Sequence, residues 1–172
     1  VGLVLYTDEI EKVIPPKKGR LHVLRLIREL LTTEPKGTGT DISEALSYVN
    51  RLLNRRAIVI LASDFQDDNY DRQLKITNRK HDLVNIFIND RLEDELPDLG
   101  LIPLKDAETG EEVMVDTSSR KVRQEYQKKR EIAKKKLREH FLRMKIDTIE
   151  LETNESYIRP LMTFFRRRMH RY

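Results

Sequence analysis

The sequence contains no cysteine, and no part of it is a long apolar run. The lack of cysteine excludes disulfide bonds and thiolate metal sites, but it leaves the cellular compartment open. No apolar stretch approaches the roughly 18 residues of a transmembrane helix, and the first residues do not form a secretion signal. We therefore expect this chain to be soluble and cytoplasmic.

Motifs of common enzymes are also absent. The segment VILASDF is not a G-x-S-x-G elbow, GTGT is not a G-x-x-x-x-G-K-[ST] phosphate loop, and the acidic cluster at residues 64–71 lacks the EF-hand pattern. The four histidines lie far apart in the sequence, at His22, His81, His140 and His170. We predict a non-enzymatic protein, since the catalytic groups of a hydrolase would have to lie outside this sequence.

Apolar runs are the clearest structural signal. Charged residues make up 36% of the chain, against a typical value of roughly 25%, which indicates a densely ionic surface. The runs VGLVLY, AIVILA and LVNIFI are nevertheless typical of strands in a parallel sheet that is covered on both faces. A chain of 172 residues accommodates one such domain. Because it begins inside a strand and without methionine, we expect a fragment of a larger domain.

Strands alternate with helices in the first half of the chain, which predicts an α/β fold. Apolar spacing predicts helices at residues 21–31, 42–53 and 72–79. We predict a three-layer α/β sandwich with one mainly parallel sheet and an antiparallel edge strand at residues 12–14. The other strands of that sheet are predicted at residues 1–7, 57–62, 83–89 and 148–151.

The later part of the chain predicts a hairpin and a long basic helix. Strands at residues 101–105 and 112–116 flank the turn residues Glu108, Thr109 and Gly110. A helix over residues 118–144 carries an apolar stripe, and a C-terminal helix spans residues 157–169. The many basic residues of this helix have two interpretations. They could bind nucleic acid or an anionic membrane, or, more simply, they could form the solvated face of an amphipathic helix.

Two segments should meet outside the carboxyl ends of the strands, where parallel sheets bind ligands. In EPKGTGTDISEAL, Gly37 and Gly39 permit positive φ, and either Thr40 or Asp41 can cap the following helix. Asp64 directly follows a predicted strand. The Thr40 hydroxyl and the Asp64 carboxylate are hard oxygen ligands suited to Mg²⁺, Mn²⁺ or Ca²⁺. Without a metal, Thr40 would be a capping or turn hydroxyl, and Asp64 an N-cap carboxylate.

These segments resemble a known family. TDISEAL resembles the T-x-T-x-x-A-L loop of von Willebrand factor type A domains, with Ile42 in place of the second threonine, and VILASDF resembles their strand ending in Ser/Thr-Asp. Most of the chain is similar to one bacterial branch, the family called domain of unknown function 58, whose genes often lie beside those of MoxR-type AAA+ ATPases. The similar stretches are VIPPKKGRLHVLRLIRELL, GTGTDISEAL, ILASDF, DRLEDELPDLG and KDAETGEEVMVDT.

The resemblance implies a metal-ion-dependent adhesion site, with Thr40 and Asp64 as ligands and with Thr38, Asp41 and Ser63 supporting the loop. In that family the principal ligands come from a D-x-S-x-S motif after a first strand, which would precede this chain. Two ligands would leave Mg²⁺ mostly to water. We therefore expect a divalent cation in an intact parent protein and an incomplete, empty site in this chain.

The resemblance also implies the kind of partner. We expect a protein-interaction module whose metal ion bridges to an acidic side chain of a MoxR-type AAA+ ATPase or its client. The alternative is nucleic-acid binding through residues 120–145, which few exposed aromatic rings would support. The missing strand would lie between residues 1–7 and 57–62, leaving two unpaired edges. Either those strands close on each other or, as we prefer, the chain forms a homo-oligomer.

Overall fold

The structure is a computed structural model that describes residues 1–105 and 112–169. Within these ranges the protein is mixed α/β, with a three-stranded parallel sheet and two separate antiparallel hairpins. Backbone contacts divide the chain into two compact units, Val1–Val84 and Asn85–Tyr172. The predicted turn residues Glu108, Thr109 and Gly110 lie outside the described residues.

The first unit opens with a hairpin and continues with alternating helices and a strand. The hairpin is antiparallel, so the predicted antiparallel strand is confirmed and is longer than residues 12–14. Its predicted place at the edge of the parallel sheet is wrong, because β2 pairs with β1 in a separate two-stranded sheet. The three predicted helices are confirmed to within a few residues. The elements are β1 (Leu3–Tyr6), β2 (Ile10–Ile14), α1 (Arg20–Thr32), α2 (Ile42–Leu52), β3 (Ile58–Ser63) and α3 (Asp71–Lys80).

Helix α2 forms the centre of the core in this unit. Its Ile42, Ala45 and Leu46 are buried, and this spacing places them on one face of the helix. The helix packs against α3 and β1. Asp41 caps its first turn, because the Asp41 carboxylate accepts a hydrogen bond of 2.7 Å from the backbone N–H of Glu44. Of the two predicted caps, the structure therefore selects Asp41.

Helix α1 is buried on a different face from the one that its apolar spacing predicts. Its apolar residues at helical spacing are exposed, and Leu26 is the buried one. Helical periodicity is a local property of the sequence, whereas burial depends on which side the neighbouring elements cover. The exposed residues are Leu21, Leu24, Ile27, Leu30 and Leu31.

The parallel sheet has the strand order β3, β4 (Asp82–Asn89) and β7 (Asp147–Glu152). The prediction that residues 1–7 belong to this sheet is wrong, because β1 pairs with β2 alone among the described strands. β1 and β3 do not pair with each other, so the alternative in which these two strands close up is not observed. Both of them border a groove, and no described strand fills it.

The second unit contains the predicted hairpin, the long helix and the last helix. The hairpin strands are confirmed residue for residue, with Leu101 opposite Asp116 and Lys105 opposite Glu112. The long helix packs against β7 and against a short helix that follows β4. The elements are α4 (Arg91–Asp94), β5 (Leu101–Lys105), β6 (Glu112–Asp116), α5 (Arg120–Arg143), β7, and α6 (Ile158–Met169).

Asp94 links α4 to α5 through charged hydrogen bonds. Its carboxylate accepts from Lys134 Nζ and, at 2.8 Å, from Asn89 Nδ2, and it lies 3.6 Å from Arg130. Burial raises the pKa of Asp94, but the hydrogen bonds from Lys134 and Asn89 outweigh burial, so the pKa is lowered overall. Asp94 is therefore ionised at neutral pH and stabilises the folded state.

Replacing Asp94 with asparagine is expected to lower the free energy of unfolding by about 1.5–3 kcal/mol at pH 7, the range for hydrogen bonds to charged groups. Because the pKa is lowered from 3.8 on folding, the difference between wild type and D94N should vanish as the pH falls below about 3.8. Urea denaturation at several pH values measures both effects. The exposed Glu95, which pairs with Arg91 at 3.5 Å, provides the control, and E95Q should change stability by less than about 0.5 kcal/mol.

Candidate functional site

A groove of about 750 Å³ separates β1 from β3 in the first unit. All residues of both strands line it, and α2 contributes further apolar side chains. Each strand pairs on one side only among the described residues, β1 with β2 and β3 with β4. The groove is therefore bordered by two strand edges whose backbone N–H and C=O groups are available for pairing. The contributing residues of α2 are Ala45, Leu46, Val49 and Leu52, followed by its C-cap Leu53.

Strand β3 presents apolar side chains on both of its faces. Val59 and Leu61 are buried, whereas Ile58 and Ile60 are 67% and 57% exposed. Successive side chains of a strand point to opposite faces, so these two pairs face opposite ways. An exposed apolar strand edge of this kind favours association with other chains.

Polar side chains gather at one end of the groove, where β3 ends. Thr7, Thr40, Ser63 and Asp64 line this end. Tyr6, the last residue of β1, also lines the groove, close to Ser63 and Asp64. Burial raises the pKa of the Tyr6 hydroxyl; the neighbouring Ser63 side chain opposes this effect, and the nearby Asp64 and Asp67 charges reinforce it. Tyr6 thus stays protonated at neutral pH.

Glu11 holds the loop that precedes α2. Its Oε1 atom accepts hydrogen bonds from the backbone N–H groups of Lys36 at 2.8 Å and Gly37 at 2.9 Å, and from Thr7 Oγ1 at 2.9 Å. The backbone hydrogen bonds from Gly37 and Lys36 are the main reason that the pKa of Glu11 is lowered. A strand residue far away in sequence therefore positions the segment that ends at Thr40.

Gly37 and Gly39 have a different role from the predicted one. Neither glycine has positive φ; among the described residues, the glycines that do are Gly19 and Gly100. A side chain at position 37 would collide with the turn between β1 and β2, since a Cβ atom there would lie 2.8 Å from Thr7 Cβ and closer still to Thr7 Oγ1 and Asp8 Oδ1. Glycine is required at position 37 because of this close approach.

Replacing Gly37 with alanine is expected to destabilise the protein by about 1–3 kcal/mol, because the β1–β2 turn must move to admit the methyl group. Gly39 is a matched control in the same loop. A Cβ atom there would lie 3.3 Å from Asp8 Cβ, so G39A should cost less than about 1 kcal/mol. Thermal and urea denaturation of both variants measure the difference, and equal losses would contradict the role assigned to Gly37.

The sequence-predicted site residues are only partly brought together. Thr40, Ser63 and Asp64 line the polar end of the groove, whereas Thr38 is exposed and lies outside it. Asp64 Oδ1 accepts a hydrogen bond from the Gln66 backbone N–H at 3.1 Å, which is a turn-forming contact. Thr40 and Asp64 are two oxygen donors, and no cluster of three or more His, Cys, Asp or Glu side chains in the described part of the chain could hold a metal ion.

Sequence reasoning missed three residues that build this site. Tyr6 lines the groove close to Ser63, Glu11 holds the loop, and Asp67 accepts a hydrogen bond of 2.8 Å from the backbone N–H of Ile42 at the start of α2. Each acts on a segment that is distant in sequence. None belongs to a motif, so no local signal identified them.

Comparison with known proteins gives a family but no activity. A family profile described as "Protein of unknown function DUF58" matches residues 1–136. An uncharacterized protein of Mycobacterium avium is 34% identical over 100 residues, which cover 56% of this chain and 59% of that protein. Uncharacterized proteins of Mycobacterium bovis and Mycobacterium tuberculosis are 32% identical over 100 residues, covering 56% of this chain and 32% of theirs. No solved structure is a significant match.

The chain thus spans less than two thirds of the length of these relatives. The structure adds one observation that bears on membranes. In residues 1–105 and 112–169, every helix is too short or too polar to cross a bilayer.

Proposed function

This chain belongs to the DUF58 family of proteins of unknown function, and on that premise we propose that it is a non-enzymatic protein-interaction module of the von Willebrand A type. The observation that supports the proposal is the groove between β1 and β3. It combines an exposed apolar surface at Ile58 and Ile60 with a polar end at Thr40 and Asp64. Such a surface is suited to another polypeptide.

The charged groups at the polar end have structural roles that favour binding over catalysis. Glu11 accepts three hydrogen bonds that hold the loop, and Asp64 accepts from the Gln66 N–H. Asp41 and Asp67 are both engaged at the start of α2. These carboxylates are used to position the rim of the groove.

We extend the proposal to the partner from the family resemblance. That partner is a MoxR-type AAA+ ATPase or its client, bound at the end of the groove that carries Thr40 and Asp64. A divalent cation completed by further ligands would supply an open coordination position for an acidic side chain of the partner. With the two donors of this chain alone, we expect binding without a metal bridge.

Titration of a MoxR-type ATPase from the same organism onto the immobilised chain tests this function, with Mg²⁺ and with EDTA. We expect saturable binding that D64A weakens at least fivefold. Asp68 is a nearby exposed carboxylate outside the groove lining, so D68A should stay within twofold of wild type. Absence of binding under both conditions, or equal effects of D64A and D68A, would rule out the proposed use of the polar end.

Nucleic-acid binding by α5 is less well supported because four of its basic side chains are already paired and two of its aromatic rings are engaged. Several of its basic side chains form ion pairs within the second unit. Phe141 is buried, and the Tyr126 hydroxyl donates to the Glu93 carbonyl at 2.9 Å, so these rings are not free for stacking on bases. The ion pairs are Arg123 with Asp98, Arg130 with Glu93, Lys134 with Asp94, and Arg138 with Glu150.

We therefore expect no retention of DNA or RNA in a filter-binding assay at about 50 mM salt. Exposed lysines remain at positions 128, 129, 135 and 136, so the assay is a fair test of the alternative. Retention that falls steeply between about 50 and 200 mM salt would instead establish a nucleic-acid interface. The double variant K128E/K135E would then have to reduce that retention.

A further inference from the structure

We propose that the outer face of α5, the side opposite the buried Phe141, is a docking surface for the anionic headgroups of a lipid membrane. Basic residues on this face form two rows in which each residue follows the previous one after seven positions. Seven residues are almost two turns of a helix, so the members of a row lie above one another at a spacing of about 10.5 Å. The first row consists of Lys121, Lys128 and Lys135, and the second of Lys129, Lys136 and Arg143.

These six side chains are available for a partner. All six residues are exposed, and none of them forms an ion pair within the part of the chain that the structure describes. The basic residues that are already paired, such as Arg130 and Lys134, lie on the same side of the helix as Phe141. Two carboxylates, Glu125 and Glu139, share the outer face with the six cations. The outer face is therefore strongly positive.

A face of this composition is not suited to packing inside the domain. Burying six cations without paired anions would cost more free energy than the apolar contacts of a single Ile132 return. The outer face of α5 therefore meets water or a strongly anionic partner. An anionic membrane offers many negative charges in one plane, and each basic residue close to it adds to the attraction.

Two exposed aliphatic side chains favour a lipid surface over a nucleic acid. Ile132 is 55% exposed and lies between the two rows, and Leu142 is 77% exposed and continues the first row after Lys135. A phosphate backbone offers an aliphatic side chain no apolar environment, whereas the boundary between headgroups and acyl chains does. Basic side chains around a few aliphatic ones are typical of helices that lie on anionic membranes.

The length of the two rows determines how the helix would lie. At about 1.5 Å per residue, the distance along the helix from Lys121 to Arg143 is roughly 33 Å, so contact of all six cations requires α5 to lie parallel to the membrane plane. The charged ends of the basic side chains would then reach the headgroups, while Ile132 and Leu142 enter beneath them. No residue of α5 lines the groove between β1 and β3, so membrane binding is independent of the function proposed above.

Cosedimentation of the full chain with lipid vesicles tests this surface. We expect the chain to bind vesicles of phosphatidylcholine with about 30% phosphatidylserine, and not vesicles of phosphatidylcholine alone, because the attraction requires anionic headgroups. The bound fraction should fall at least fivefold between about 0.1 M and about 1 M salt, as the Debye length shortens from about 10 Å to about 3 Å. Equal binding to both kinds of vesicle, or binding to neither, would overturn the proposal.

Two pairs of lysines locate the contact. K128E/K135E should weaken binding to the anionic vesicles at least tenfold, because two attractive charges become repulsive. K17E/K18E changes the net charge by the same amount at exposed residues of the first unit, and it should stay within threefold of wild type. Equal losses for the two pairs would show that the net charge of the chain governs binding, and would overturn the role of α5.

The aliphatic side chains distinguish a membrane from a nucleic acid. I132S should weaken vesicle binding at least threefold, because its side chain no longer gains from the apolar boundary. Leu24 on α1 is 51% exposed and provides the control, so L24S should stay within about 1.5-fold of wild type. Circular dichroism should show that all of these variants are folded. Equal effects of I132S and L24S, or duplex DNA that displaces the chain from the vesicles, would overturn the proposal.

Discussion

Replacing Phe141 with alanine is expected to lower the free energy of unfolding by about 3–5 kcal/mol, the range for removing a buried phenylalanine side chain. Phe141 is 1% exposed and lies on α5, which packs against β7. Removing its ring would leave a cavity that neighbouring elements fill only in part. The resulting loss is a large fraction of the stability of a typical domain.

Phe141 also takes part in the end of its helix. The backbone N–H of Ile146 donates to the Phe141 carbonyl at 3.1 Å, and that of Lys145 donates to the Leu142 carbonyl at 3.0 Å. With Lys145 at φ of 55°, these bonds form a Schellman motif. Phe141 and Ile146 are both buried, as the motif favours. F141A therefore removes core packing at the residue whose carbonyl accepts one of the two hydrogen bonds of the helix end.

Leu142 is the control for this prediction, because it is adjacent, apolar and 77% exposed. L142A should change the free energy of unfolding by less than about 0.5 kcal/mol. Urea denaturation followed by circular dichroism measures both variants under identical conditions. A loss below about 1 kcal/mol for F141A would show that α5 does not pack through this ring.

Two buried asparagines on β4 are expected to respond to leucine in opposite directions. Both side-chain polar atoms of Asn85 are buried without a hydrogen-bond partner among the described residues. Asn89 is also buried, but its Nδ2 donates to Asp94 at 2.8 Å and to Glu152 at 3.2 Å. Burial alone costs free energy for a polar group, whereas hydrogen bonds to carboxylates offset that cost.

N85L is therefore expected to raise the free energy of unfolding by about 1–3 kcal/mol, the cost of leaving a buried polar group unpaired. N89L is expected to lower it by about 1.5–3 kcal/mol, because two carboxylates lose a donor. Urea denaturation measures both changes, and the changes in the free energy of unfolding should have opposite signs. Destabilisation by both substitutions would show that Asn85 has a polar partner, such as a buried water molecule.

Local patterns in the sequence determined most secondary elements. The hairpin strands at residues 101–105 and 112–116 were predictable because the strand patterns and the Gly-containing segment between them lie within a short stretch of sequence. The helix beginning at Ile42 was predictable for the same reason, since Asp41 and the apolar spacing after it lie within one or two turns. The family resemblance followed from the same segments.

The pairing of strands was decided only by tertiary structure. β1 has the apolar sequence of a sheet strand, yet it pairs with β2 and borders a groove on its other side. Strand pairing depends on which other segments reach each edge, and a strand sequence does not encode its neighbours. The buried face of α1, at Leu26, depends on neighbours in the same way.

The candidate site shows the same division at the level of single residues. From the sequence alone, GTGT predicted a loop next to Thr40 in which Gly37 and Gly39 permit positive φ, and Asp64 was placed at the end of a strand. Tertiary contacts decided that Gly37 is required by the closeness of Thr7, that Glu11 holds the loop, and that Tyr6 reaches Ser63. Conformational preference is a property of a few adjacent residues, whereas close approach and hydrogen bonding between distant segments exist only once the chain has folded.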